Sequence, residues 1–184
     1  MRYSNRLLRG LVFIASILLF VGCDPGEREA VFTRVTSIDP PKGAEYPVQT
    51  LPGGGYEGDR PSLIRVEFSK ALRGDTVNSD SIEVTMRAVS RHVERGTMYG
   101  EPRTIEGNVS YDPTTQSATF QPVDGEFAHV VNSAGFINSE FTIQIRGAGP
   151  TPIIDEDGLI LDGDGDGREG CDFESSFVIQ LGPY

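Results

Sequence analysis

The residues best suited to chemistry are acids concentrated near the carboxyl end of the chain. Asp162, Asp164 and Asp166 alternate with glycine over a stretch of five residues. Calcium takes about six to eight oxygen ligands, and acids that alternate with glycine can wrap a loop around one ion. Three carboxylates this close also repel one another unless a cation screens them. The spacing therefore predicts a calcium site with these three aspartates as its core ligands.

The stretch from Asp162 to Gly167 matches the first half of an EF-hand calcium loop. The second half does not match, because Phe173 stands at the twelfth position, where an EF-hand has a bidentate glutamate. This excludes a complete EF-hand, so further oxygens must come from elsewhere. The alternative is an open, solvated loop whose acids serve solubility. The nearest candidates for further calcium ligands are Asp155, Asp157 and Asp172.

Motifs for other chemistry are absent from the sequence. His92 and His129 are the two histidines, and neither lies in a His-x-x-x-His or Cys-x-x-Cys setting, so zinc has little support. The sequence also lacks a Gly-x-Ser-x-Gly elbow and a phosphate-binding glycine loop. One enzymatic alternative stays open, an envelope hydrolase for glycans or esters that uses acids of the 155–172 region.

The amino-terminal residues have the layout of a secretory signal. Three arginines and no acid occupy the first ten residues, and an apolar run with one serine follows over residues 11–21. The run is too short for a membrane span, which needs about 20 apolar residues. It ends in Phe20-Val21-Gly22-Cys23, which resembles the bacterial lipobox. That resemblance implies cleavage after Gly22, a diacylglyceryl group on Cys23 and an acyl chain, such as palmitate, on the new amino terminus.

Lipidation at Cys23 divides the chain into three parts: a signal peptide over residues 1–22, a lipidated tether over 23–30 and a domain over 31–184. Two or more acyl chains anchor a protein stably to a membrane without a spanning helix. We therefore predict a bacterial cell-envelope protein held at the membrane through Cys23. Asp24 retains lipoproteins in the inner membrane of some bacteria but not of others, so the choice of membrane stays open.

Charge and cysteine content exclude one class of partner and one class of fold. Removal of residues 1–22 takes away three arginines and no acids, which leaves 13 basic and 27 acidic residues and a formal charge of −14. A chain so acidic does not bind nucleic acid, which requires a basic surface. Lipidation of Cys23 leaves Cys171 without an intrachain partner, so a disulfide-stapled fold is excluded. An exposed Cys171 could instead join two molecules.

Short segments of alternating apolar and polar residues fill the domain, and this period of two indicates half-buried strands. Residues 70–80 have space for a short helix or turn. Seven such segments separated by Gly, Pro, Asn and Asp predict an antiparallel β-sandwich. Three long connections, over 39–61, 89–103 and 122–139, separate them. The predicted strands cover residues 31–38, 62–69, 81–88, 105–111, 117–121, 141–146 and 173–179, and the predicted core residues are Ile64, Val66, Phe68, Val84, Phe120, Ile143, Ile145 and Phe177.

The order of these segments resembles the bacterial Ig-like domain of the S-layer (SbsA) type. Five segments match the sequence pattern of that family: Val35-Thr36-Ser37-Ile38-Asp39-Pro40, Ile64-Arg65-Val66-Glu67-Phe68-Ser69, the 107–122 hairpin, 141–146, and the 162–179 turn and strand. The resemblance covers residues 31–181. It implies an Ig-like sandwich with structural, spacer or binding roles toward envelope proteins or polymers, and no shared active site. The sequence thus favours a tethered structural or binding module without catalysis.

Overall fold

A computed structural model describes residues 31–52, 56–92, 96–124, 127 and 138–181 of the chain. The predicted signal peptide, Cys23, the predicted tether and His129 lie outside the described residues. None of the described segments is a helix long and apolar enough to cross a membrane.

The described chain is built from β-strands, with one turn of 3-10 helix at Gly74–Thr76. Alternate residues of the core strands are buried, and the pattern is strictest in Ile64–Phe68, where the residues between them are exposed. The strands are β1 (Val35–Asp39), β2 (Ala44–Thr50), β3 (Tyr56–Glu57), β4 (Ile64–Phe68), β5 (Ile82–His92), β6 (Gly96–Tyr99), β7 (Arg103–Thr104), β8 (Gly107–Asp112), β9 (Ser117–Pro122), β10 (Asn138–Ile145) and β11 (Phe173–Leu181).

Two sheets form a sandwich, as predicted. One sheet has the order β1-β4-β9-β8, and the other has the order β3-β2-β11-β10-β5-β6, with β7 also paired to β5. In an immunoglobulin sandwich, one sheet has the strand order A-B-E-D and the other contains strands C, F and G. Here β1-β4-β9-β8 corresponds to A-B-E-D, and β5, β10 and β11 correspond to C, F and G. The chain therefore has an Ig-like all-β architecture.

The core lies between the two sheets. The eight residues predicted to be buried are all at most 3% exposed. Three phenylalanines form its centre, with Phe141 and Phe177 stacked at 4.8 Å between ring centroids and Phe127 edge-on to both. This apolar layer confirms the predicted strand register.

All seven predicted strands exist, but the described chain contains eleven strands. One strand that the prediction missed, β2, pairs in parallel with β11, so the sandwich is not wholly antiparallel. Pro47 lies in β2 and masks its strand character, because proline cannot donate to a ladder. It is tolerated there because β3 pairs only with Gln49 and Thr50, which leaves Pro47 without a partner strand on that side.

Candidate functional site

The predicted site lies in the connection from β10 to β11, residues 146–172, which we call the acidic loop. Its ends are fixed by the sandwich, because Ile145 and Phe173 are paired across the two strands. Its middle is anchored by Ile153 and Leu161, both fully buried in the core. A backbone hydrogen bond of 3.0 Å from Leu161 N to Ile153 O joins the two anchors. The acids that follow Leu161 are therefore held on a fixed base.

Asp162 is the organising residue of the acidic loop. Its side chain is fully buried. Oδ1 accepts the N–H groups of Gly165 and Asp166 at 2.8 and 3.1 Å, and Oδ2 accepts the N–H of Gly167 at 3.0 Å. Oδ2 also accepts Arg34 Nε at 2.9 Å. A carboxylate has about four lone-pair positions, so these donors satisfy Asp162 completely.

The other two aspartates of the cluster are exposed. Asp164 accepts the Asp166 N–H at 3.2 Å, and Asp166 accepts the Arg168 N–H at 2.9 Å. One carboxylate oxygen from each of Asp162, Asp164 and Asp166 lies within 4.8 Å of the others. The predicted cluster is therefore formed, and these three carboxylates could hold a metal ion between them.

Arg34 supplies part of the positive charge that the spacing of the aspartates led us to expect from a metal ion. Burial alone would raise the pKa of Asp162, but the Gly167 N–H and the Arg34 guanidinium hold it below its usual value. Repulsion within the loop is thus relieved by backbone dipoles and by one arginine from the segment before β1. The Arg34 side chain is 49% exposed, whereas the Asp162 side chain that it contacts is fully buried. An ion shared by all three aspartates would compete with it for Asp162.

Asp155 belongs to a separate network. Its buried Oδ2 accepts Thr33 Oγ1 at 2.9 Å and Lys70 Nζ at 3.4 Å, and its Oδ1 accepts the Leu159 N–H at 2.8 Å. Burial opposes ionisation, but the Leu159 N–H, Thr33 and Lys70 together hold the pKa of Asp155 below its usual value. Asp155 therefore clamps the acidic loop to the start of the domain and to the connection after β4.

Asp157 and Asp172 also form their contacts outside the triad of Asp162, Asp164 and Asp166. Asp157 is exposed and lies 3.2 Å from Lys70 Nζ. Asp172 ties the acidic loop to β10, since it accepts Gln144 Nε2 at 2.7 Å, Arg146 at 3.1 Å and the N–H groups of Gly147 and Ala148 at 3.0 Å each. The metal-capable group of the described chain is thus the triad of Asp162, Asp164 and Asp166, and it does not include Asp155, Asp157 or Asp172.

The partners of these acids were not apparent from the sequence. Thr33 and Arg34 lie more than 120 positions before the aspartates they contact. Nothing in their local pattern distinguishes them, because both lie in a segment predicted as an ordinary strand. Only the sandwich brings the first residues of the domain beside the acidic loop.

Cys171 closes the acidic loop next to the cluster. It is a free, exposed cysteine with a positive φ of 59°. Its carbonyl packs against Gly147 and Gly163, where a Cβ on either glycine would collide with the Cys171 main chain. A side-chain hydrogen bond to Asp164, followed by the charge of that residue, raises the pKa of the thiol.

We expect Cys171 to react slowly with thiol reagents despite its exposure. The thiolate is the reactive form, and a raised pKa leaves less of it at neutral pH. Asp164→Asn should accelerate alkylation of the folded protein near pH 7.5, whereas Asp157→Asn should leave the rate unchanged. Equal rates in the wild type and Asp164→Asn would contradict this electrostatic control. Non-reducing gels of the same samples would show whether Cys171 joins two molecules.

Comparisons with known proteins do not assign the chain to a family. No protein family matches the chain, and no curated protein resembles it significantly. Two crystal structures of PcoC, described as a copper resistance protein from Escherichia coli, are similar, with TM-scores of 0.44 and 0.42 and identities of 11% and 10%. The alignments cover 79% and 81% of this chain and 98% and 99% of PcoC. At this level the likeness says nothing about the ligand of this chain.

Proposed function

We propose that this chain is a cell-envelope lipoprotein whose Ig-like domain is a structural or binding module without catalytic activity. The observation that carries the proposal is Cys23, which lies at the point where the apolar run of the signal ends. The resemblance of residues 31–181 to S-layer-type Ig-like domains agrees with this role. The membrane is its first partner, through lipid on Cys23, and envelope proteins or polymers are the second.

The state of the buried acids supports a role without catalysis. A glycosidase needs one carboxyl group that stays protonated as the acid and a second one that is ionised. Asp155 and Asp162 both have lowered pKa values and are satisfied by hydrogen bonds. Neither suits a general acid, and each one instead joins the acidic loop to other parts of the domain.

Lipidation is tested by Cys23→Ser in the full-length chain. We expect the wild type to fractionate with membranes and the processed Cys23→Ser protein to be released, because it lacks the acyl chains that anchor it. Cys171→Ser is the matched control and should fractionate like the wild type. A Cys23→Ser protein that loses its signal and still stays membrane-bound would refute the tether.

We further propose that the ion of the Asp162, Asp164 and Asp166 triad is calcium. The donor set consists of carboxylate oxygens, which suit hard cations, and the alternating spacing lets successive aspartates turn toward one point. Because Asp162 is already satisfied, binding would require Arg34 to move away from Oδ2. Calcium and Arg34 therefore compete for the same oxygen.

Thermal melting in chelator and in millimolar calcium tests this proposal, with magnesium as the control cation. Binding to the folded state stabilises it by RT ln(1 + [L]/Kd), or about 2.7 kcal/mol at a hundredfold excess over Kd. Arg34→Gln should enlarge the calcium-induced rise in Tm, because the competitor is gone. The paired Asp164→Asn/Asp166→Asn variant should abolish the rise. No calcium-specific rise in the wild type and Arg34→Gln proteins, or an undiminished rise in the paired variant, would exclude the site.

A further inference from the structure

The outer face of the larger sheet carries a small cavity beside an exposed tyrosine. Val89 of β5 pairs with Tyr99 of β6 on one side and with Asn138 of β10 on the other. In the next outward row, Arg87 pairs with Glu140. Because side chains alternate between the two faces of a strand, all five lie on the face that points away from the core. A cavity of about 70 Å³ opens on this face, and its lining consists of Val89, Thr97, Tyr99, Asn138, Glu140 and Val178.

Tyr99 is exposed but held in place. It is 55% exposed to solvent. Arg87 Cζ lies 4.2 Å from the centroid of its ring, and Arg87 Nε donates to Glu140 Oε2 at 2.6 Å. A cation over an aromatic ring is attracted to its face, and the ion pair with Glu140 fixes where that cation lies. The ring is therefore oriented before a ligand arrives, which reduces the entropy cost of binding.

The lining of the cavity combines apolar groups with an unpaired amide. Val89 is only 6% exposed although it lies on the outward face, and Val178 is half-buried. Asn138 is 8% exposed, and its side-chain amide forms no hydrogen bond with another residue of the described chain. An amide offers both donors and an acceptor, and a nearly buried one is normally paired. The cavity therefore fits a ligand group that brings a methyl to the valines and an amide to Asn138.

The charges at this face favour an uncharged ligand. Glu140 is the charged residue of the lining, and its ion pair with Arg87 balances its charge. The chain as a whole is strongly acidic, so a polyanion is repelled. A sugar ring is uncharged and has an apolar face as well as hydroxyl groups. The hydrogens on that apolar face are drawn to the negative face of an aromatic ring such as Tyr99.

An acetamido group matches the chemistry of the cavity. It combines a methyl with an N–H donor and a C=O acceptor, and a volume of about 70 Å³ holds such a group but not a whole sugar ring. We infer that this face binds an uncharged polysaccharide that contains N-acetylhexosamine, with a sugar ring on Tyr99 and its acetamido group in the cavity beside Asn138. The inference deepens the binding role proposed above by naming a class of polymer. It depends neither on calcium nor on lipid at Cys23.

Sedimentation with insoluble polysaccharides tests this inference on the full-length, processed protein in detergent. Chitin and cellulose form a matched pair, because they share a backbone and differ in the acetamido group. We expect the protein to sediment with chitin several-fold more than with cellulose, and soluble N-acetylglucosamine oligomers to release it. Tyr99→Ala should weaken chitin binding by roughly tenfold, the equivalent of about 1.4 kcal/mol, and Asn138→Ala should remove the preference for chitin. Met98→Ala is the control and should bind like the wild type, since Met98 is 44% exposed on the opposite face of the same strand.

The outcomes separate this inference from the lipid tether. Protein that does not sediment with chitin would overturn the inference, whereas membrane fractionation of the same protein reports on the tether alone. Equal binding to chitin and cellulose would refute the acetamido ligand, and binding undiminished in Tyr99→Ala would place the sugar elsewhere, so either result overturns the proposal. A photo-reactive amino acid in place of Thr97 that captures a protein and no glycan in intact cells would show that a protein occupies this face instead. Matching melting curves of the variants confirm that each one is folded.

Discussion

Phe177→Ala is expected to lower the free energy of unfolding by about 3–5 kcal/mol, the usual cost of deleting a buried phenylalanine side chain. Phe177 is fully buried at the centre of the sandwich. Its ring stacks on Phe141 at 4.8 Å and meets Phe127 and Tyr46 edge-on at 5.4 and 6.0 Å. Deletion leaves a cavity bordered by three rings that are held by separate strands and loops, so collapse around it is limited. Chemical denaturation of the mature domain measures the loss.

Val178→Ala is the matched control. Val178 is the next residue of β11, and its side chain points to the opposite, half-buried face of the sheet. It should cost about 1 kcal/mol, because half-exposed methyl groups lose little burial. Similar losses at the two positions would mean that the face assignment of β11 is wrong. A double-mutant cycle with Phe141→Ala should also reveal a coupling of about 0.5–1.5 kcal/mol for the stacked pair.

The sandwich was predictable because its main strands are amphipathic. β4 alternates Ile64, Val66 and Phe68 with charged residues, and the structure buries the first three and exposes the others. A slip of one residue would move this apolar set to the solvent face, so a strict period of two specifies both the strand and its register. The predicted helix or turn after β4 is likewise found as the short 3-10 turn at Gly74–Thr76.

The strands that were missed lack this signal. β6 is exposed along its whole length and has no buried face to produce alternation. The second half of β5 extends four residues beyond its predicted end, where Val89 is buried although it lies on the outer face. β2 contains a proline and gains its order from parallel pairing with the last strand, which lies more than 130 positions away. Local patterns do not contain such long-range pairing.

The acidic cluster was predictable from spacing, but its countercharge was not. Alternation with glycine brings Asp162, Asp164 and Asp166 together within a single loop, so local geometry suffices. Arg34 and Lys70 reach the buried acids only because the two sheets bring the first segment, the connection after β4 and the acidic loop to the same end. Arg34 supplies a positive charge beside Asp162 of the triad, and Lys70 supplies one beside Asp155 and Asp157 in the separate network.

Asp162→Asn is expected to destabilise the domain by about 3 kcal/mol in chelator. Hydrogen bonds to a charged group contribute about 1.5–3 kcal/mol each, and a buried donor left without an acceptor adds its own penalty. An asparagine keeps one oxygen for the Gly165 and Asp166 N–H groups but turns an NH2 toward the Gly167 N–H and Arg34, where only donors remain. Asp164→Asn is the control and should change stability little, because its carboxylate is exposed.

Asp162 should also make the free energy of unfolding depend on pH in the acid range. The folded pKa of Asp162 lies below its unfolded value of about 3.9, so its contribution is complete above that pH and is lost as the pH falls through the folded pKa. Asp155 has a lowered pKa as well and acts in the same window. The stability difference between the wild type and Asp162→Asn should therefore be constant from about pH 5 to 8 and shrink below about pH 4. Urea titrations at a series of pH values measure it. A difference that persists unchanged in acid would show that the cost of Asp162→Asn comes from shape rather than from the charge that Arg34 and the backbone donors stabilise.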